Sequence, residues 1–178
     1  RFARDYFLHY GASPEKIFFH RFTSLTEEDV CKSVASKAEK QKLRKELGIP
    51  ENGKTVLSIG QFIYRKGYDV LLDAWRGMDD ACLILLGGGE LQQQYEEKIR
   101  KDGLKNVRLL GFVEKEQVFK YYRASDVFVL PTREDIWGLV VNEAMACGLP
   151  VIATDCCVAA MELLEDGENG YIVPGGDT

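Results

Sequence analysis

Two carboxylates, Asp135 and Glu143, stand eight positions apart in the stretch TREDIWGLVVNEAMACGLPV, from Thr132 to Val151. Between them Gly138, Leu139 and Val140 read as the first turn of a helix. Asp135 then falls just before that helix and Glu143 about a turn and a half inside it. The first amides of a helix have no partner within it and carry the positive end of its dipole. A carboxylate can accept two hydrogen bonds from a cis-diol, and free amides suit an anion. The stretch could therefore hold a diol and an anion together. Either acid alone could be a cap or a solvated helix residue. Both together in an otherwise apolar helix mark a site.

The second candidate is basic. GQFIYRKG (60–67) follows an apolar run and places Arg65 and Lys66 directly before a helical pattern. A cation beside helix N-terminal amides suits phosphate, and a basic surface loop is the competing explanation. Two further loops carry weaker signals. GGGE (87–90) lets backbone approach a ligand closely or makes a tight turn. It is not the dinucleotide fingerprint, because Gln92 stands where a third spaced glycine is needed. In GFVEKEQ (111–117), Phe112 and Val113 could flank a flat base or close the core.

These loops follow apolar runs that read as strands: 55–59, 82–86, 107–110, 127–130, 151–154 and 171–173. The runs lack polar alternation, as expected of strands buried on both faces. Between them, 68–75, 91–103, 115–125 and 137–148 show apolar residues three and four apart. The alternation predicts an α/β fold with a doubly wound parallel sheet, which gathers its loops at the strand carboxyl ends. Residues 51–178 form this domain. Residues 1–50 read as a connector packed on it, with one strand in SPEKIFFHRF and one charged helix. That helix starts at a capping-box-like Thr26 and Asp29 and ends at Leu47 before Gly48.

Composition narrows the function. The chain has 178 residues with 23 Lys and Arg against 28 Asp and Glu, a net charge of −5. That balance is unlike a nucleic-acid binder. No apolar run is long enough to span a bilayer. Five cysteines without CxxC spacing read as reduced thiols in the cytoplasm. Neither histidine has a Cys or His cluster around it, so no structural zinc is expected. The chain begins with Arg1, which reads as a piece of a longer protein.

The motifs GQFIYRKGYDVLLDAW, LLGGGE, VRLLGFV, ASDVFVLPTREDIWGLVVNEAMACGLPVIATD and DGENGYIV occur in order across residues 54–174. Together they resemble glycosyltransferase family 4, whose members are retaining enzymes of the two-domain GT-B fold. The resemblance implies the Rossmann-like C-terminal half, which binds the nucleotide-sugar donor. Residues 1–25 resemble the segment leading in from an N-terminal acceptor domain that is absent. It further implies Glu143 on the ribose hydroxyls, Asp135 near the donor sugar, Lys66 on the diphosphate and Val113 against the base. Amides of Gly138, Leu139 and Val140 would meet sugar or phosphate. Gly60, Gln61, Arg65, Gly88, Phe112 and Glu134 complete the implied donor site, with Asp135 and Lys66 as its catalytic pair.

No metal and no cofactor are expected, the nucleotide-sugar being the substrate. The implied reaction moves a hexose onto a glycan or lipid-linked acceptor, as in polysaccharide biosynthesis, and allows peripheral membrane association of the full-length protein. The fragment alone should be inactive. A non-catalytic nucleotide-sugar-binding module is the alternative. A sugar-nucleotide epimerase of similar architecture lacks the acid-to-acid motif. Three departures from the family pattern stand out. Asp135 replaces the usual Glu, with Glu134 as a substitute; Gln61 replaces an Arg; and Cys156, Cys157 and Val158 replace glycines.

Overall fold

The six apolar runs become six strands: β1 (Lys54–Ile59), β2 (Ala81–Leu86), β3 (Val107–Leu110), β4 (Val127–Leu130), β5 (Val151–Thr154) and β6 (Gly170–Val173). In this computed structural model, which describes residues 2–20 and 23–175, they form one sheet in the order β3-β2-β1-β4-β5-β6. Every pairing is parallel, with Val56 opposite both Leu83 and Val127, and Phe128 opposite Val151. This is the doubly wound order expected of a Rossmann-like fold.

The missing polar alternation has a direct cause. Successive strand residues feed two cores, one on each face. Leu83, Leu85 and Val107 join Phe62, Tyr68, Leu72, Trp75 and Tyr95 on one side. Ile84, Leu86, Leu57, Phe128, Leu130 and Val151 join Tyr122, Val141 and Ala144 on the other. The first face is covered by α3 (Tyr68–Ala74) and α4 (Gln92–Lys101). The second is covered by α5 (Lys115–Ala124), α6 (Leu139–Ala146) and α7 (Val158–Leu163). Four of these helices lie where the apolar periodicity put them. The six-residue α7 is too short to show a period and was not foreseen.

The first fifty residues depart from expectation. They open with α1 (Phe2–His9), which was not foreseen. Residues 13–20 of the expected strand form one short helical turn and then extended chain with no sheet partner, and Phe18 and Phe19 are 87% and 68% exposed. The last two residues of that expected strand, 21 and 22, lie outside the described residues. The expected single helix from Thr26 is broken. The capping box is real, the Thr26 amide donating to Asp29 at 2.9 Å, but it starts only one turn. The helix proper, α2 (Lys37–Glu46), begins after Ser36, whose hydroxyl accepts from the Glu39 amide. Between the two lie Val30, Cys31, Ser33 and Val34, which are weak helix formers. The Cys31 amide instead donates to the Ala146 carbonyl at 2.9 Å, which ties the segment to the end of α6.

Helix α2 is anchored by Asp126, at the start of β4. That carboxylate accepts from Lys40 at 2.9 Å, from Arg44 at 2.7 Å and from the Thr55 amide at 2.9 Å. Burial alone would raise its pKa, but these three donors outweigh burial and hold it below the usual carboxylate range.

Candidate functional site

The chain leaves β1 and β4, neighbours at the centre of the sheet, toward opposite faces, so a crevice opens beyond their carboxyl ends. The loop after β1 and the loop after β4 are latched together there. The Arg133 amide donates to the Arg65 carbonyl at 2.8 Å, and Arg65 returns a hydrogen bond from its guanidinium to the Glu134 carbonyl at 2.8 Å. The Thr132 hydroxyl lies 2.9 Å from that same Arg65 oxygen. Arg133 also donates to both oxygens of Asp69, at 2.8 and 2.7 Å, and lies over the Tyr64 ring. The contact is so close that only glycine fits at position 67. A Cβ there would come within 2.0 Å of the Pro131 carbonyl oxygen, and φ is +69°.

This latch brings Lys66 to Asp135. The Lys66 ammonium lies 2.5 Å from Asp135 Oδ2, and each side chain is 13% exposed. Asp135 is placed by its own backbone. Its amide donates to the Cys156 carbonyl at 2.9 Å, and its carbonyl accepts from the Val158 amide. Three residues on, Gly138 caps α6 with φ +90°. A Cβ there would meet the Cys157 sulfur at 2.5 Å. Among the described residues, no acceptor takes the amides of Gly138, Leu139 or Val140. One ammonium, one carboxylate and three open amides thus share one end of the sheet. The cation and amides can take an anion, and Asp135 can take hydroxyl protons.

Glu143 lies inside α6 and accepts a 2.8 Å hydrogen bond from the Tyr122 hydroxyl. Burial pushes its pKa up, partly opposed by that hydrogen bond and by the charge of Lys115. Tyr122 is fully buried, and burial followed by the Glu143 charge drives its phenol well above the usual range, so it stays a donor. With one oxygen oriented by Tyr122, Glu143 is a positioned acceptor.

The remaining sequence candidates divide. Gly60 lies beside Lys66, whose Cδ and Cε would stand 3.8 Å from a Cβ placed there. Arg65 is spent on the Glu134 backbone, and Gln61 is exposed. Gly88 accepts from the Phe62 amide, and the Phe112 ring packs over its backbone. Phe112 and Val113 are 77% and 37% exposed, so neither closes the core. Glu134 presents its side chain to solvent and its carbonyl to Arg65; the acid facing Lys66 is Asp135. Sequence reasoning missed Thr132, Arg133 and Tyr122, and read Cys157 only as a departure from the family's glycines. Only Tyr122 gave a signal, since a tyrosine on an inward helix stripe needs a polar partner for its hydroxyl.

Among the described residues no group of three His, Cys, Asp or Glu could hold a metal ion, and no helix is long and apolar enough to cross a membrane. The model of the family described as glycosyl transferases group 1 matches residues 39–178. A phosphatidyl-myo-inositol mannosyltransferase of Mycobacterium leprae is 39% identical over 140 residues, covering 74% of this chain and 36% of the relative. The solved structure of HepE from Anabaena with UDP-glucose has a TM-score of 0.74 at 26% identity, over 98% of this chain and 48% of that one. Sucrose-phosphate synthase from Thermosynechococcus elongatus has a TM-score of 0.70 at 32% identity, over 76% of this chain and 36% of that one. The chain therefore spans about a third of the length of the curated relatives it matches.

Proposed function

Because the chain belongs to the glycosyl transferases group 1 family, we propose that it is the donor-binding half of a retaining transferase of glycosyltransferase family 4. In this reading a hexosyl group leaves a nucleoside diphosphate and passes to a glycan or lipid-linked acceptor held by another part of a longer protein. The observation that carries the reading is the Lys66–Asp135 pair at the crevice between β1 and β4, beside the open amides of α6. HepE in complex with UDP-glucose, a structure this chain resembles over nearly its whole length, supports a nucleotide-sugar as the donor.

The roles in this reading are those the family resemblance implies, and the geometry supports them. Lys66 and the amides of Gly138, Leu139 and Val140 hold the diphosphate and stabilise the charge that grows on it as the glycosidic bond breaks. No metal ion is needed where a fixed cation and a helix N-terminus supply that field. Glu143, oriented by Tyr122, accepts from the ribose diol, and the exposed Val113 and Phe112 flank the base. Asp135 faces the sugar side of the ammonium and fixes a sugar hydroxyl. Incubating the longer protein with a panel of labelled nucleotide-sugars and a glycan or lipid-linked acceptor tests the reading. Transfer from at least one donor is expected. Binding without transfer from any donor would instead mark a non-catalytic module.

A further inference from the structure

Cys31 and Cys147 meet where the segment leading into α2 crosses the end of α6. Their sulfur atoms are 3.4 Å apart, although the residues lie 116 positions apart in sequence. Both thiols are free. Backbone and charge hold the approach in place: the Cys31 amide donates to the Ala146 carbonyl at 2.9 Å, and Lys115 meets Asp29 at 2.8 Å.

The two sulfurs have unequal surroundings. Cys31 lines an open groove of about 600 Å³ together with Asp29, Lys115, Phe119 and Arg123. The Arg123 guanidinium, paired with Glu39, lines the same groove. Cys147 is buried behind it, 3% exposed. Burial first, and the neighbouring Cys31 next, keep the Cys147 thiol protonated. One sulfur reaches the groove, and the other is shielded and adjacent.

We propose that Cys31 and Cys147 form a reversible disulfide on exposure to a hydroperoxide. The bridge would fasten the segment before α2 to the helix that carries Glu143. The Cys31 thiolate attacks a peroxide oxygen: an S–O bond forms, the O–O bond breaks, and the departing hydroxide takes up the proton released by Cys31. With hydrogen peroxide this yields one water and a sulfenic acid at Cys31. The Cys147 sulfur then attacks the Cys31 sulfur: the S–S bond forms, the S–O bond breaks, and the second hydroxide takes the Cys147 proton. Two thiols are oxidised and one peroxide is reduced to two waters. The sulfurs must close by on the order of 1 Å to reach disulfide length, and residues 30–36, which are outside any helix, can supply that shift. The inference does not depend on what the crevice binds.

The test oxidises the whole chain with hydrogen peroxide, alkylates remaining thiols, digests without reductant and maps the peptides by mass spectrometry. The expected product is one cross-linked peptide joining Cys31 to Cys147, absent after dithiothreitol. In Cys147→Ser, Cys31 should stop at the sulfenic acid and be trapped by dimedone. Cys156→Ser should form the cross-link as the unaltered chain does. Recovery of Cys31 as sulfinic or sulfonic acid with Cys147 alkylated would overturn the proposal. So would a cross-link between other cysteines in place of this one.

Discussion

Lys66 Nζ and Asp135 Oδ2, 69 positions apart in sequence, stand 2.5 Å apart and join the loop after β1 to the loop after β4. Asp135 compensates the charge of the lysine, so an arriving diphosphate must compete with it for the ammonium. Replacing the cation by an apolar side chain of similar length, Lys66→Met, should weaken UDP binding by about 1.5–3 kcal/mol, the range for hydrogen bonds to charged groups. Asp135→Asn should leave UDP affinity equal or tighter, because it frees the ammonium. In a full-length transferase of the proposed kind the same variant should lower turnover, as expected for an interaction made in the transition state. Titration calorimetry on the two variants and steady-state kinetics on the longer protein check this.

Glu143 should show function opposed to stability. Burial raises its pKa in the folded state. A carboxyl raised on folding adds most stability below its unfolded pKa, and that contribution is lost as pH rises through the folded value. Glu143→Gln removes the buried charge and keeps an acceptor for Tyr122. At neutral pH the variant should therefore be at least as stable to urea as the unaltered chain, while UDP binding falls by about 1.5–3 kcal/mol. A variant that loses stability and keeps its affinity would make Glu143 a structural residue.

Asp126 predicts the opposite pH dependence. Its pKa is held down by Lys40, the Thr55 amide and Arg44 against the cost of burial. A depressed carboxyl contributes stability above its unfolded pKa and loses it as pH falls through the folded value. Asp126→Asn leaves Arg44, 4% exposed, without its counter-charge. The loss should be about 3 kcal/mol at neutral pH, shrinking toward zero as the solution is acidified below the carboxylate range. Urea unfolding at several pH values measures it.

Gly138 is the backbone pivot that opens the α6 amides. With φ +90° and the Cys157 sulfur 2.5 Å from a would-be Cβ, Gly138→Ala should cost roughly 1–3 kcal/mol of stability. Adding Cys157→Ala removes the clash but not the backbone strain, so the double variant should regain part of the loss and not all of it. Thermal melts of the three variants decide.

What the sequence showed and what it hid have physical causes. The strands were legible because residues such as Leu83 and Ile84 point to different cores yet are both apolar. Lys66, Asp135 and Glu143 were legible because each lies at or just inside a junction that the strand and helix patterns locate. The acceptor of the Tyr122 hydroxyl was not legible, since Glu143 lies 21 positions away and only the packing of α5 on α6 brings them together. The break at residues 30–36 was hidden for the same reason: the Cys31 amide finds its acceptor 115 positions away, on Ala146. The Thr26 capping signal was local and true, but the length of the helix after it was decided by that distant contact.

The central claim is that a nucleoside diphosphate binds at Lys66 and the start of α6 without a metal ion. Calorimetric titration of the chain with UDP, GDP and ADP, each in EDTA, tests it most directly, with Lys66→Met and the remote Lys98→Met in parallel. The account predicts saturable binding of at least one of the three in EDTA, weakened in Lys66→Met and unchanged in Lys98→Met. Binding that disappears with EDTA, or that is equal in both variants, would contradict it.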